Sequence, residues 1–253
     1  MSSVARQGRR GEELGVGASG DRTLLADRAA EGEILSALKQ VGGVRILSEE
    51  AGETGDRGAS TLAVVDPLDG SSNFERGIPF YCTAVAMVEG ASIDGATLGV
   101  VRDLVSGDVY VGVRGKGATK NGRPIRTSAR ARLAEAVIGM DVSRTPARFV
   151  ERLAPLVSAT KRQVHFGANA LELCYLADGR IDAFVDLRGK IRVTDFAAAY
   201  LIAKEAGAVF TDAEGAPVRP QFDLEHRFGF VGSASGGLHK EILRLVVASA
   251  RKG

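Results

Sequence analysis

The segment 66–73, with the sequence DPLDGSSN, constrains this chain more than any other part of it. It follows the apolar, β-branched run 61–65, which predicts a buried strand. Two carboxylates three residues apart, Asp66 and Asp69, therefore emerge where a strand ends. Pro67 fixes its own φ and favours an extended residue before it, and Gly70 permits a sharp turn that brings backbone N–H groups close to a ligand.

Carboxylate oxygens on a stiff turn suit Mg²⁺, which demands near-octahedral geometry and usually shares its ligands with phosphate oxygens. A pair of acidic residues at this spacing is also typical of a solvated acidic turn. The choice between a metal site and such a turn depends on the other acidic residues of the chain.

Composition limits the class of protein. The chain has 253 residues, of which 45% are hydrophobic and 25% charged, which is typical of one large domain or two closely packed halves with a full core. The net charge of +2 argues against a large nucleic-acid or anionic membrane surface. No apolar run is long enough to span a membrane, and the N-terminus lacks a signal-peptide core. We therefore expect a cytoplasmic protein.

The two cysteines, Cys82 and Cys174, both lie in apolar surroundings. Their number and spacing fit neither a disulfide framework nor a metal site. We expect both to be small, reduced core residues.

Hydrophobic periodicity divides the chain into two halves. Residues 1–130 predict a helix over 26–41, a strand over 44–47, a loop over 51–60 and then mostly antiparallel strands. Residues 131–253 alternate strands with helices over 146–160, 168–177, 195–206 and 238–249. Thr194 is expected as the N-cap of the third of these helices. The pattern predicts an α+β first half packed on an α/β second half, with the site between them.

Four acidic residues occupy comparable positions. Glu49 follows a predicted strand, Asp66 and Asp69 follow the next, and Asp195 opens a helix. Layered α/β folds place their sites at such strand and helix ends. If these carboxylates converge, their mutual repulsion makes a divalent cation the natural counterion.

Three motifs, in order, carry a resemblance. They are Ser48-Glu49-Glu50, residues 66–74, and Thr194-Asp195 opening a helix that runs into residues 203–207. Together they resemble the inositol monophosphatase family, and within it the archaeal-type enzymes acting on both inositol 1-phosphate and fructose 1,6-bisphosphate. The resemblance covers residues 15–247. It implies the layered α-β-α-β-α sandwich of that family and a homodimer or tetramer.

The resemblance also implies two or three Mg²⁺ ions, for which Mn²⁺ can substitute. The implied metal ligands are the carboxylates of Glu49, Asp66, Asp69 and Asp195 and the backbone carbonyl of Leu68. Asp66 would bridge two metals, and Leu68 would contribute its backbone carbonyl. Glu50 would at most assist.

The family places substrate next to the same turn. By resemblance Asp69, Gly70 and Ser71 would contact the substrate, and Ser71 stands where many members have threonine. Its hydroxyl, together with Asp21 in the segment 19–23, would orient the attacking water. The alternative for Asp21 is an ordinary acid in a loop or at a helix start.

Arg192, three residues before Asp195, is the expected contact for a phosphate or a sugar, unless it is a solvated surface arginine. Archaeal-type members carry a basic residue just before the pair Phe166-Gly167. Here Val164 and His165 stand there, with Arg162 upstream, and we do not assign His165 to the site. The family usually has a longer helix before the Asp21 motif, so either that helix is shortened here or the chain begins late.

The expected activity is Mg²⁺-dependent hydrolysis of a sugar or polyol phosphate monoester by direct in-line attack of water. The expected substrates are fructose 1,6-bisphosphate, inositol 1-phosphate or both. One alternative is a phosphatase of the same family acting on 3′-phosphoadenosine 5′-phosphate. A different class is a non-enzymatic RNA- or polymerase-associated regulator that keeps the fold. The near-neutral charge and the complete acidic set argue against that class.

Overall fold

A computed structural model describes residues 11–20, 22–130 and 132–250. The described part of the chain begins with a hairpin of β1 (Glu13–Val16) and β2 (Arg22–Leu24), which leads directly into helix α1 (Leu25–Val41). One face of α1 packs its aliphatic side chains on a layer of strand residues. This helix matches the predicted one and forms the first layer of the fold.

The second layer is a mixed sheet, which has eight strands within the described residues. They are β3 (Val44–Ser48), β4 (Gly52–Gly55), β5 (Thr61–Asp69), β6 (Cys82–Glu89), β7 (Ala96–Asp103), β8 (Val109–Val113), β9 (Gly117–Lys120) and β10 (Arg123–Ile125). Their order is β10-β9-β8-β7-β6-β5-β3-β4. Neighbours pair antiparallel except β3 and β5, which are parallel. That one parallel pair places the ends of β3 and β5 side by side.

The second half of the chain builds another sheet with helices on both faces. A short helix α2 (Ser71–Arg76) follows β5 in the first half. The elements of the second half are β11 (Val137–Met140), α3 (Ala147–Ala159), β12 (Arg162–Val164), α4 (Asn169–Ala177), β13 (Ala183–Ile191), α5 (Val193–Glu205), β14 (Val209–Thr211), β15 (Phe228–Ser233) and α6 (Gly236–Ala250). The strand order is β12-β11-β13-β15-β14.

Helices α4 and α5 lie between the two sheets. The largest apolar cluster joins residues of the eight-stranded sheet, of these helices and of the smaller sheet. Helix α5 approaches the large sheet so closely that a Cβ on Gly99 would lie 2.4 Å from the carbonyl oxygen of Ala198. Helices α3 and α6 cover the outer face of the smaller sheet. The layers therefore run α-β-α-β-α, which confirms the expected fold, while the division at residue 130 stays a prediction.

Several local predictions were wrong. The predicted loop 51–60 contains strand β4, because the residues after β3 return antiparallel to it. Residues 71–76, expected to lead into strands, form α2, which Gly70 starts in a left-handed conformation with φ 86°. Thr194 is not an N-cap, because α5 begins at Val193, two residues earlier than predicted, and Arg192 is its N-cap.

Both cysteines are buried and free, as predicted. Within the described residues, no helix is long and apolar enough to cross a membrane.

Candidate active site

The parallel pairing of β3 and β5 brings the first two carboxylates together. Ser48 lies opposite Val65 in the register, so Glu49 and Asp66 leave the sheet as neighbours. Helix α5 directs its first turn, which contains Asp195, to the same edge. Oxygen atoms of Glu49, Asp66 and Asp195 all lie within 4.8 Å of one another. The predicted convergence of these three residues is therefore present.

A bulge shapes the turn that carries Asp66. Between Asp66 and Asp69, strand β5 has one more residue than its partner β6, since these two pair with Ala84 and Cys82. Such an extra residue bends a strand and redirects its side chains. Asp66 accepts a hydrogen bond from the Leu68 N–H at 3.0 Å and is buried. The turn thus holds Asp66 in one orientation from within its own sequence.

Asp69 lies beside this group rather than within it. Its carboxylate accepts the N–H of Ala170 at 2.6 Å, from the first turn of α4, and the Cys82 thiol lies 3.7 Å away. Burial, followed by the charge of Asp195, raises the pKa of Asp69 to about 8. Asp69 lines the same cavity as the three clustered carboxylates.

The clustered carboxylates are poorly stabilised in their ionised form. Burial is the largest cause of a raised pKa at Glu49, Asp66 and Asp195. At Glu49 the charge of Asp195 adds to it, and at Asp66 the charge of Glu49 does. Since bringing such groups together without a counterion is costly, this donor set fits a divalent cation bound by oxygen ligands.

Arg192 and Thr194 support the cluster from the start of α5. The Arg192 guanidinium donates to Glu49 Oε1, and Thr194 Oγ1 lies 3.1 Å from Asp195 Oδ1. Arg192 was expected as a substrate contact, and it lines the cavity. Its ion pair with Glu49 means that it also balances charge at the carboxylate cluster.

Gly70 and Ser71 form the wall next to Asp69. A Cβ on Gly70 would come within 3.0 Å of both the Ala168 Cβ and the Phe80 carbonyl oxygen, so only glycine fits without movement. Ser71 is half-buried and opens α2, where backbone N–H groups lack intrahelical acceptors. Both residues can therefore offer donors to an anion in the cavity.

The cavity has a volume of about 590 Å³ and is lined mainly by polar groups. It contains every predicted site residue within the described ranges: Glu49, Asp66, Leu68, Asp69, Gly70, Ser71, Arg192 and Asp195. Asp21 lies outside the described residues. The roles assigned to all of these residues stay predictions.

Asp27 is a cavity residue that the sequence prediction missed. It lies in the first turn of α1, and its carboxylate accepts the Leu24 N–H at 2.6 Å. Burial, together with the charges of Glu50 and Glu31, raises the pKa of Asp27 to about 7. The sequence signal that could have identified Asp27 is an acidic residue just after the apolar residues Leu24 and Ala26, in the first turn of a predicted helix.

His165 lies in a different environment. Its ring nitrogens face Asp141 at 3.6 Å and Glu172 at 3.3 Å, and the bond to Glu172 raises the pKa of His165. Val164 is half-buried and Arg162 is exposed. Among the described residues, none of these three lines the cavity.

The sequence and the fold were compared with known proteins. Residues 2–251 match the inositol monophosphatase family. The fructose-1,6-bisphosphatase/inositol-1-monophosphatase of Methanothermobacter thermautotrophicus is 36% identical, over 92% of this chain and 86% of its own length. The bifunctional NADP phosphatase/NAD kinase of Methanococcus maripaludis is 31% identical over 92% of this chain but 44% of its own length.

A solved structure supports the same assignment. The crystal structure of the MJ0109 gene product, an inositol monophosphatase-fructose 1,6 bisphosphatase, superimposes with a TM-score of 0.84 at 32% identity. The match covers 96% of this chain and 95% of that structure. With the family match spanning nearly all of the sequence, the chain belongs to the inositol monophosphatase family.

Proposed function

We propose that this protein is a Mg²⁺-dependent phosphatase that hydrolyses sugar or polyol phosphate monoesters. The proposal rests on one observation. Glu49, Asp66 and Asp195 line a polar cavity, and one carboxylate oxygen from each lies within 4.8 Å of the other two. Asp27, with its pKa of about 7, lines the same cavity. A cation site beside a group that can accept a proton at neutral pH suits hydrolysis by water.

The metal ligands in this proposal are Glu49, Asp66 and Asp195, with Asp69 and the Leu68 carbonyl completing the set. All are oxygen donors, the ligand type that Mg²⁺ prefers. Bound there, Mg²⁺ would supply a Lewis acid that lowers the pKa of water and neutralises phosphate charge. Mn²⁺ would substitute, because it takes similar ligands.

The protein's own groups hold the reactants. Asp27 accepts a proton from the attacking water, because its pKa lies close to neutral pH. The Ser71 hydroxyl orients that water or the phosphate. Asp21 stays a second candidate for the proton acceptor. No side chain needs to form a covalent phosphoenzyme, so inversion at phosphorus is expected.

The phosphate would lie against the turn that follows Asp69. Gly70 and Ser71 line the cavity, so their N–H groups and the Ser71 hydroxyl would donate to phosphate oxygens. Arg192 also lines the cavity and adds a positive charge. These donors position the monoester for in-line attack.

The substrate proposal rests on the relatives. Several are named fructose-1,6-bisphosphatase/inositol-1-monophosphatase. We infer that this chain acts on fructose 1,6-bisphosphate, inositol 1-phosphate or both. We further infer that the protein forms a homodimer and is located in the cytoplasm. Light scattering after gel filtration would measure the oligomeric state.

The test is phosphate release from fructose 1,6-bisphosphate, inositol 1-phosphate and NADP, each with and without Mg²⁺. Metal-dependent turnover of either sugar or polyol substrate supports the proposal, and Asp66→Asn protein prepared in parallel controls for contaminating phosphatases. Turnover of NADP alone would replace the substrate proposal with a nucleotide one. Folded protein that binds Mg²⁺ yet releases phosphate from none of the three would overturn it, as would retention of configuration at phosphorus.

A further inference from the structure

The turn between β3 and β4, residues 48–51, carries Glu49. The carboxylate of Glu31 accepts hydrogen bonds from both ends of this turn. Glu31 Oε1 accepts the Ser48 hydroxyl at 2.6 Å and the Ala51 N–H at 2.8 Å. Glu31 is 2% exposed and Ser48 is fully buried. One oxygen atom therefore spans the two residues on either side of Glu49 and Glu50.

Glu31 follows Asp27 by one turn of α1, so the two carboxylates share a helix face. Asp27 lines the cavity, whereas Glu31 is absent from the described residues that line it. Glu31 is thus placed to act on the turn rather than on a ligand. Its charge also raises the pKa of Asp27 and Glu50, so its burial here has an electrostatic cost.

The Glu49 N–H donates to the Val65 carbonyl at 3.2 Å, and several further contacts of the turn come from the segment just before α1. The N–H groups of Ala18 and Ser19 donate to the carbonyls of Glu50 and Glu49, each at 3.0 Å. The Thr23 hydroxyl donates to the Glu50 carboxylate. Polar contacts with β2, α1 and the preceding loop therefore hold the turn. Removing Glu31 would leave the buried Ser48 hydroxyl without this acceptor.

We propose that Glu31 is a positioning residue for Glu49, and that it sets the metal affinity of the site without touching the metal. The inference rests on the proposed function in one respect, namely that Glu49 binds a metal. Groups that orient a metal ligand typically change metal affinity by 10- to 100-fold when they are removed. The expected signature is weaker metal binding with turnover largely retained once metal saturates the site.

The test is Mn²⁺ binding measured by calorimetry without substrate, on the wild type and three variants. Glu31→Ala is expected to bind about tenfold more weakly. Glu31→Gln keeps an acceptor oxygen and should stay within about twofold of the wild type. Glu33→Ala, at an exposed position of the same helix, should match the wild type.

Kinetics separates positioning from a general structural role. For Glu31→Ala, the Mn²⁺ concentration giving half-maximal phosphate release should rise about tenfold, with kcat at saturating metal within about threefold of the wild type. A merely structural role would lower kcat and the metal-free Tm for the Gln and Ala variants alike. Metal affinity equal to that of the wild type in folded Glu31→Ala would overturn the inference.

Ser48→Ala provides a second variant if Glu31→Ala does not fold. It removes one of the two hydrogen bonds and should weaken Mn²⁺ binding about threefold. Unchanged affinity in this variant would then overturn the inference. A wild type that binds no Mn²⁺ would reject the proposed function and this inference together, whereas a wild type that binds normally, with unaffected variants, would reject this inference alone.

Discussion

Within the described residues, two clusters of buried acidic side chains differ in how their negative charge is compensated. The first is the candidate metal cluster of Glu49, Asp66 and Asp195. The second contains Asp141, Glu172 and Asp186, which are all buried. Arg188 binds Asp141 and Asp186 at 2.5 Å each, and His165 faces Asp141 and Glu172.

The difference lies in the counter-charge. The second cluster has cations of its own, and Glu172 also accepts two backbone N–H groups, from Phe166 and Gly167, at 3.0 Å each. The first cluster has the Arg192 pair to Glu49, but burial and mutual repulsion still raise the pKa of its carboxyls. A cluster whose carboxylates are paired with cations of the protein has less need of a bound ion, whereas one in which burial and repulsion still raise the pKa fits a bound cation.

The largest expected effect is from Asp66→Asn. This change removes the central carboxylate of the first cluster and should lower phosphate release by more than about 10³-fold, about 4 kcal/mol in the barrier. The metal-free protein should unfold at an equal or higher temperature, since a buried repulsive charge is gone. Steady-state kinetics and thermal unfolding in EDTA measure the two quantities. Near wild-type turnover would remove Asp66 from the site.

The matching change in the second cluster is Asp186→Asn. It leaves the Arg188 guanidinium, which is 10% exposed, without one of its two carboxylate partners at 2.5 Å. Breaking a buried ion pair costs about 3 kcal/mol, so the free energy of unfolding should fall by that amount. Urea unfolding of the metal-free protein measures it. An unaltered unfolding midpoint would show that the ion pairs of Arg188 do not stabilise the second cluster.

Asp27→Asn should have a smaller effect on activity than Asp66→Asn. The amide can still accept the Leu24 N–H but cannot accept a proton from water. Turnover should fall about 10²-fold, and the rise of kcat with pH that follows ionisation of Asp27 in the wild type should disappear. Rate profiles at saturating Mg²⁺ measure both. A variant that is slowed but keeps the same pH profile would assign the proton acceptor to another residue, with Asp21 the first alternative.

The sequence predicted the first cluster well and the second not at all. Glu49, Asp66 and Asp195 stand out because strand ends and a helix start mark them, and the pairing of β3 with β5 then places two of them together. Asp27 was missed because its burial depends on how α1 packs against the sheet, which periodicity does not specify. Similarly, the sequence around Asp141 and around Arg188 does not indicate that these two side chains form an ion pair in the folded protein. Contacts made through tertiary packing therefore marked the limit of prediction.

The smallest expected effect is the pH dependence of metal-free stability. The pKa of Asp69 rises from 3.8 to about 8 and that of Asp27 from 3.8 to about 7. The folded state thus holds protons that the unfolded state releases, so this contribution to stability is complete below about pH 4 and is lost as pH rises through the folded-state pKa values.

In EDTA, Tm should therefore fall by several degrees between about pH 5.5 and about pH 8.5. Added Mg²⁺ should raise Tm most at the alkaline end, because ionised carboxylates bind it there. Asp69→Asn supplies the control, since its Tm in EDTA should depend less on pH. An equal slope in the wild type and this variant would mean that the burial of Asp69 beside the first cluster does not govern the pH dependence of metal-free stability, and the contrast with the cluster paired to Arg188 would be weakened.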